Sequence, residues 1–118
     1  MGRIRKWISI AQAELDDLIE DLNFLLDECR RRNEIKELTD YVYKENSALL
    51  KHQIRGVDLL KDSFKIVQPE DKRDLDEIVK NVVEDMRNNV KIHDMPECIY
   101  YMSKKRLYKA LEYVKNIK

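Results

Sequence analysis

The feature that most constrains the fold of this chain is an unbroken heptad pattern near its start. Apolar residues recur there at alternating steps of four and three, at Ile4, Ile8, Ala11, Leu15, Leu18, Leu22, Leu25 and Cys29. This is the 3.5-residue period of helices that pack side by side at a shallow angle. Trp7, Ile19 and Leu26 widen the apolar stripe. A wide stripe favours a helical bundle over a lone two-stranded coiled coil.

Composition predicts a single domain made of a few long helices. The 118 residues include only two Gly and two Pro, which leaves little of the chain for turns. Lys and Arg together number 23, as do Asp and Glu, so the formal net charge is zero. This balance favours a surface laced with ion pairs over a field built to hold nucleic acid.

The same composition predicts a cytoplasmic protein without a cofactor. No apolar run approaches the roughly 20 residues of a membrane span. The positive start of the chain is not followed by the apolar segment of a secretory signal. Cys29 and Cys98 lie among apolar helical positions and lack metal-ligand spacing, so we expect reduced core thiols, with no metal site and no membrane partner.

Three further amphipathic helices are predicted after the first. Asn33 is expected to end helix 1 and cap helix 2, which runs to about Val67. Pro69 is predicted in the first turn of helix 3, which ends near His93. Asp94 or Met95 is expected to cap helix 4. Short connections between four such helices predict an up-down-up-down four-helix bundle over residues 1–118, with a long first helical hairpin.

Helix 2 carries two polar amides on its apolar seam. Asn46 and Gln53 occupy the same heptad line as Leu60 and Val67. A buried polar residue at such a position weakens a bundle but specifies its register and partner number. Replacing both by Leu is therefore expected to raise thermal stability and broaden the oligomer distribution. Gly56, in the same helix, indicates either a close backbone approach or a kink.

The last two helices differ in how continuous their apolar faces are. Helix 3 has one clear face, formed by Leu75, Ile78, Val79, Val82, Val83, Met86 and Val90. The face of helix 4 consists of Ile99, Leu107, Ala110, Leu111, Val114 and Ile117. Ser103 interrupts the second face, which suggests an offset turn over residues 96–102.

A short stretch of helix 2 resembles two phosphoacceptor motifs. His52-Gln53-Ile54-Arg55-Gly56 is similar to the His-x-Leu-Lys-Gly stretch of histidine phosphotransfer domains and to the His-box of sensor histidine kinases. The resemblance implies an exposed, phosphorylatable His52 with Arg55 nearby to neutralise the phosphoryl group. It covers five residues, and residues 57–60 replace the small residues and second Gly of the phosphotransfer motif. A surface histidine on an amphipathic helix accounts for the same residues.

The end of helix 3 resembles a ribonuclease motif. Arg87 and His93, with Asn88 directly after the arginine, are similar to the Arg-(four to six residues)-His motif of HEPN domains. The resemblance implies an all-helical RNA-cleaving or RNA-binding bundle in which Arg87 and His93 act on a phosphodiester. In one continuous helix this spacing separates the two side chains by roughly 120°. They would converge only if the helix broke before His93.

Charges are grouped on opposite helices. The outer face of helix 1 is acidic, with Glu14, Asp16, Asp17, Glu20, Asp21, Asp27 and Glu28. Helix 4 is basic, with tyrosines interleaved. Lys104, Lys105, Tyr108 and Lys109 form a pattern that can bind single-stranded nucleic acid by charge and stacking. The simpler expectation is that the acidic face meets the basic one within the molecule or its dimer.

The sequence favours a non-catalytic bundle that works by protein–protein interaction or self-association. Helices 1 and 2 are longer than helices 3 and 4, so apolar surface near Ile4, Trp7 and Ile8, or at the far end of the first hairpin, should lack a partner within the monomer. A homodimer through these two helices, or a complex with another helical protein, would cover it. The expected interaction surface comprises Ile4, Trp7, Ile8, Leu15, Asn46 and Gln53.

Overall fold

A computed structural model describes residues 2–68 and 72–116. It contains α1 (Arg3–Glu34), α2 (Asp40–Leu60), a 3-10 helix (Lys61–Ile66), α3 (Leu75–Ile92) and α4 (Glu97–Lys115). No strand occurs among the described residues. The predicted all-α, four-helix architecture is confirmed.

The helices form an up-down-up-down bundle around α1. α1 packs most extensively against α2 and then against α4, whereas α3 packs against α4 and the 3-10 helix. The core combines apolar side chains from every helix. All seven residues predicted for the face of helix 3 are buried in it.

Trp7 locks the start of α1 into this core. The side chain is fully buried, and its indole Nε1 donates a hydrogen bond of 3.1 Å to the Leu107 carbonyl of α4. Its ring meets Phe64 of the 3-10 helix edge-on at a centroid distance of 5.6 Å. Trp7 and Leu15 both lie inside the chain's own core. The expectation that they form an interaction surface is therefore corrected, because neither side chain is open to a partner.

The heptad of α1 is buried as predicted except at one turn. Ala11, Leu15, Leu18, Leu22 and Cys29 are buried, and Ile4 and Ile8 pack half-buried against the core. Leu25 is half exposed, and its neighbour Leu26 is buried instead. At this turn of α1 the buried position is therefore shifted by one residue, from Leu25 to Leu26.

The first hairpin turn differs from the sequence prediction. Thr39, not Asn33, caps α2, because its Oγ1 accepts a hydrogen bond of 3.2 Å from the Val42 amide. Asn33 remains in α1 and closes the turn by donating to the Leu38 carbonyl and to the Asp40 carboxylate. Lys36 adopts a left-handed backbone conformation, with φ of 63°, which reverses the chain between the helices.

α2 is shorter than predicted. It ends at Leu60, and the chain continues as the 3-10 helix rather than as α-helix to Val67. Ser63 in the 3-10 helix is fully buried and accepts a hydrogen bond of 3.0 Å from Asn89 of α3. Gly56 lies within an unbroken α2 and faces the Ile99 side chain, so it permits a close approach of α4.

The predicted beginnings of the last two helices are corrected as well. α3 begins at Leu75 after Asp74, and the predicted start at Pro69 lies outside the described residues. α4 begins after Pro96 rather than after Asp94 or Met95. It is continuous through Ser103, which is fully buried on the same face as Ile99 and Leu107, so the offset turn does not form. Ile117 lies outside the described residues.

Candidate interaction surface

The first hairpin extends well beyond the other two helices. At 1.5 Å per residue the 32 residues of α1 span about 48 Å, whereas the 18 and 19 residues of α3 and α4 each span about 28 Å. The molecule is correspondingly elongated, at 55 × 33 × 17 Å. The predicted mismatch in helix length is thus present. About 20 Å of the first hairpin extends beyond the length that α3 or α4 can cover.

Contacts with α4 locate the start of this overhang. Arg106 of α4 pairs with Glu14, Asp17 and Asp21 of α1, so the two helices run antiparallel with the first residues of α4 toward the hairpin turn. The Gln53 amide of α2 contacts the Cys98 sulfur at 3.4 Å. α4 therefore begins close to Gln53, and the hairpin continues past it to Thr39.

The surface of α2 that receives α4 continues into this overhang. Gly56 and Gln53 lie on one line of the helix and contact Ile99 and Cys98 of α4. Steps of four and three carry that line onward to Leu49, Asn46 and Val42. Leu49 is 51% exposed and Val42 37% exposed. The apolar line that α4 covers in one half of the hairpin is therefore open to solvent in the other half.

An open groove between α1 and α2 occupies the place that a longer α4 would fill. Its volume is about 280 Å³, and its lining residues are Leu25, Glu28, Cys29, Arg32, Leu38, Asn46 and Leu50. We call it the distal groove. Leu25 is 50% exposed on the α1 side. The groove combines an apolar floor with one acidic and one basic side chain at its edge.

The two seam amides of α2 have different environments. Asn46 is exposed in the distal groove, and Gln53 is half-buried beside Cys98. The expectation that both are buried core amides is corrected, because α4 reaches Gln53 but not Asn46. Leu49 and Val42 are exposed apolar residues of α2 that do not line the groove, and sequence reasoning missed both of them. The available signal was Gly56, whose close approach to another helix identifies the line on which both lie.

The two cysteines also differ. Cys29 is buried at the floor of the distal groove, as expected of a core thiol, whereas Cys98 is exposed in the first turn of α4. Both thiols are free. The prediction that Cys98 is a core residue is wrong, because it lies on the side of α4 that reaches only the edge of α2.

Arg87 and His93 are not drawn together by a helix break. α3 continues unbroken to Ile92, and His93 is the exposed residue that follows it. Arg87 instead contacts α4, with its guanidinium 5.2 Å from the Tyr100 ring centroid. Hydrogen bonding to Tyr100, and then to Tyr101, raises the pKa of Arg87. The arginine is thus held by two tyrosines, on a different side of the helix from His93.

His52 has the exposure that the phosphoacceptor resemblance requires. It lies on α2 with its side chain in solvent, and Arg55 is exposed one turn further along. Exposure of both residues is equally the ordinary condition of polar side chains on the outside of a bundle. The phosphotransfer interpretation stays a prediction.

The acidic face of α1 meets the basic face of α4 within one chain, as expected. Arg106 lies 2.8 Å from Glu14, 2.7 Å from Asp17 and 3.0 Å from Asp21, and Lys109 lies 3.3 Å from Glu14. Hydrogen bonding to Asp17, and then to Glu14, raises the pKa of Arg106 against the opposing effect of its desolvation. The hydrogen bond from Arg106 in turn lowers the pKa of Glu14, against the opposing effect of its desolvation.

The cations proposed for nucleic acid are thus partly engaged elsewhere. Lys109 is paired with Glu14, and the Lys104 ammonium lies 5.8 Å from the Tyr100 ring centroid. Lys105 and Tyr108 line an open cleft of about 600 Å³ together with Lys109, Lys115, Asp76 and Glu112, and Lys115 is paired with Asp76. The two acidic side chains reduce the attraction of this cleft for a phosphate backbone.

Across residues 2–68 and 72–116, no three His, Cys, Asp or Glu side chains are placed to hold a metal ion. None of the described helices combines the length and the apolar character needed to cross a bilayer. No protein-family model, curated protein or solved structure matches this chain.

Proposed function

We propose that this chain is a non-catalytic helical-bundle protein that binds another protein chain through the distal half of its first hairpin. The observation that supports this most directly is the continuity of the α4-binding surface into the distal groove. Val42 and Leu49 of α2 are partly exposed on the line that α4 covers at Gln53 and Gly56, and Leu25 of α1 is partly exposed across the groove. A helix-binding surface that is filled along half its length is suited to accept a helix along the rest.

The size of the exposed surface agrees with a binding role. The chain has 7834 Å² of accessible surface, whereas a compact monomer of its 14.2 kDa mass is expected to have about 6,800 Å². The excess of about 1,000 Å² reflects the elongated shape of the chain, to which the overhanging hairpin contributes. Exposed apolar residues in a groove of this kind mark an interaction site.

The test is a comparison of two matched baits. The first, called the groove bait, carries Leu25→Glu in the distal groove and Leu49→Glu on the exposed line of α2. The second, called the outer-side bait, carries Phe24→Glu and Tyr41→Glu, which alter residues of the same two helices that are 67% and 70% exposed and do not line the groove. Each immobilised bait is exposed to an extract that also contains untagged wild-type chain.

We expect the wild-type and outer-side baits to retain the same bound protein, and the groove bait to lose it. Circular dichroism should show equal helix content in all three baits, because the four replaced side chains are at least half exposed in the monomer. Equal retention by all three baits would contradict a binding role for the distal groove.

A further inference from the structure

We propose that the occupant of the distal groove is the distal groove of a second copy of this chain. This inference rests on the proposed function and specifies its partner. Two hairpins would overlap at their turn ends, antiparallel and face to face. The four helix ends would then complete a second four-helix layer beyond the one that α3 and α4 provide within each chain.

Charge on the distal hairpin permits self-association. Residues 23–50 carry six acidic and five basic side chains, so two copies of this segment repel each other little. At the edge of the groove Glu28 and Arg32 lie one helical turn apart on α1 and form an ion pair of 3.8 Å within the chain, so a second copy would exchange or extend this pair. A partner whose surface carries charge of only one sign would be attracted by one of these two side chains and repelled by the other. A second copy in antiparallel orientation presents the same two charges in reversed order, with an arginine opposite Glu28 and a glutamate opposite Arg32.

Two-fold symmetry turns this reversed order into matched pairs. In an isologous dimer each contact occurs twice. If residue i of one copy contacts residue j of the other, then residue j of the first copy also contacts residue i of the other. A two-fold axis crossing α1 near Arg30 places Glu28 opposite Arg32 of the second copy, twice. The same axis places Leu25 opposite Ile35, and both are about half exposed in the monomer. One operation therefore pairs charge with opposite charge and apolar with apolar side chains.

Sedimentation equilibrium of the purified full chain over low to high micromolar concentrations tests the dimer. The wild-type protein should approach twice 14.2 kDa. The Leu25→Glu/Leu49→Glu variant should associate at least about a hundredfold more weakly, because two leucines would each lose burial worth a factor of ten or more. The Phe24→Glu/Tyr41→Glu variant should associate like the wild type.

A charge exchange tests the antiparallel geometry. Glu28→Arg alone and Arg32→Glu alone should each weaken self-association roughly tenfold, since each places like charges opposite one another twice. An equimolar mixture of the two variants should recover a dimer, because every pair is then of opposite sign. Dimers of both single variants without preferential mixing would overturn the axis near Arg30.

The outcomes separate this inference from the proposed function. A wild-type chain that remains monomeric at the highest concentration overturns the second-copy proposal. If the groove bait nevertheless loses a different protein that the outer-side bait retains, the proposed binding role stands. If the chain is monomeric and all baits behave alike, both proposals fail.

Discussion

At the scale of single residues, two serines show how differently this core treats a buried hydroxyl. Ser63 and Ser103 are both fully buried. Ser63 accepts a hydrogen bond from Asn89, which is itself held by Asp85. The Ser103 Oγ has no hydrogen-bond partner among the described residues. A buried hydroxyl without a partner has lost its hydration and gained nothing in return.

This contrast predicts opposite effects for one substitution. Ser103→Ala should raise the free energy of unfolding by about 1 kcal/mol, since it removes an unpartnered polar atom and improves helix propensity. Ser63→Ala should lower the same quantity by about 1–2 kcal/mol, because it leaves the Asn89 amide short of an acceptor. Urea denaturation of both variants measures the difference. Equal destabilisation by the two would show that Ser103 is bonded after all.

Gly56 is the second position where a single residue decides the packing. A Cβ at Gly56 would collide with the Ile99 Cδ1, and it would also lie 3.6 Å from the Met95 sulfur. Alanine would add about 1 kcal/mol of helix propensity, but overpacking of a buried contact costs about 1–3 kcal/mol. We therefore expect Gly56→Ala to be destabilising overall.

The collision predicts a specific rescue. Ile99→Val removes the atom that a Cβ at Gly56 would strike, at a cost of about 1 kcal/mol on its own. The double variant should then be at least about 1 kcal/mol more stable than the sum of the two single effects predicts. Chemical denaturation of the four proteins in this cycle measures the coupling. Additive effects would mean that α4 shifts to accommodate the methyl group.

At the scale of helices, Arg106 is the main polar link between α1 and α4. It reaches three carboxylates on successive turns of α1 and is itself only 20% exposed. Exposed single ion pairs contribute little, but a half-buried network with short contacts contributes more. Replacing Arg106 by Gln should lower the free energy of unfolding by about 1–2 kcal/mol.

The same network predicts a dependence of stability on pH. The folded-state pKa of Glu14 lies below its ordinary value of 4.5, chiefly because of the hydrogen bond from Arg106. Ionised Glu14 therefore stabilises the fold above about pH 4.5, and this contribution is lost as the pH falls through the lower folded-state pKa.

Glu14→Gln should accordingly flatten the fall of unfolding free energy below pH 4.5. Urea denaturation at a series of pH values measures the slope. Glu20→Gln is a suitable control, because Glu20 is an exposed residue of the same helix. A slope unchanged by Glu14→Gln would show that the ion pair is too well hydrated to matter.

Asn46 provides a prediction about the distal half of the hairpin. The amide is exposed in the distal groove, so Asn46→Leu should leave the thermal stability of the dilute monomer nearly unchanged. In the proposed dimer it would replace a polar group at the interface by an apolar one, which should strengthen association while loosening its register. Melting temperatures at low and high protein concentration measure both effects. A rise in melting temperature at low concentration would place Asn46 inside the monomer core.

At the scale of the whole molecule, hydrophobic periodicity predicted the helices better than it predicted their neighbours. The face of α3 could be read directly from the sequence, because all seven residues predicted for it are buried. In α1 the pattern includes both Leu25 and Leu26, and it does not reveal which one a neighbouring helix covers. The answer depends on where α4 begins, and that is a property of the folded chain.

The same limitation explains the misplaced interaction surface. The sequence left open whether the unmatched apolar surface lies near Trp7 or at the far end of the first hairpin. In the structure, α4 and the 3-10 helix enclose Trp7. The uncovered end lies at the other side, near the hairpin turn. Helix lengths predicted that part of the apolar surface of the first hairpin is not covered by another helix. Which end is uncovered depends on the register between α1 and α4, and helix lengths alone do not give it. Helix caps were missed for a related reason, since Asn33 and Thr39 are both good capping residues and tertiary contacts select between them.

Small-angle X-ray scattering of the wild-type chain tests the central claim most directly, because it measures mass and length together. One chain is 55 Å long. Two chains that overlap only at their hairpin turns should give twice the mass of one and a longest dimension of about 90 Å, allowing 1.5 Å per overlapping helical residue. The mass of a single chain would contradict the account. So would the mass of two chains with a longest dimension near that of one, since the bundles would then lie side by side.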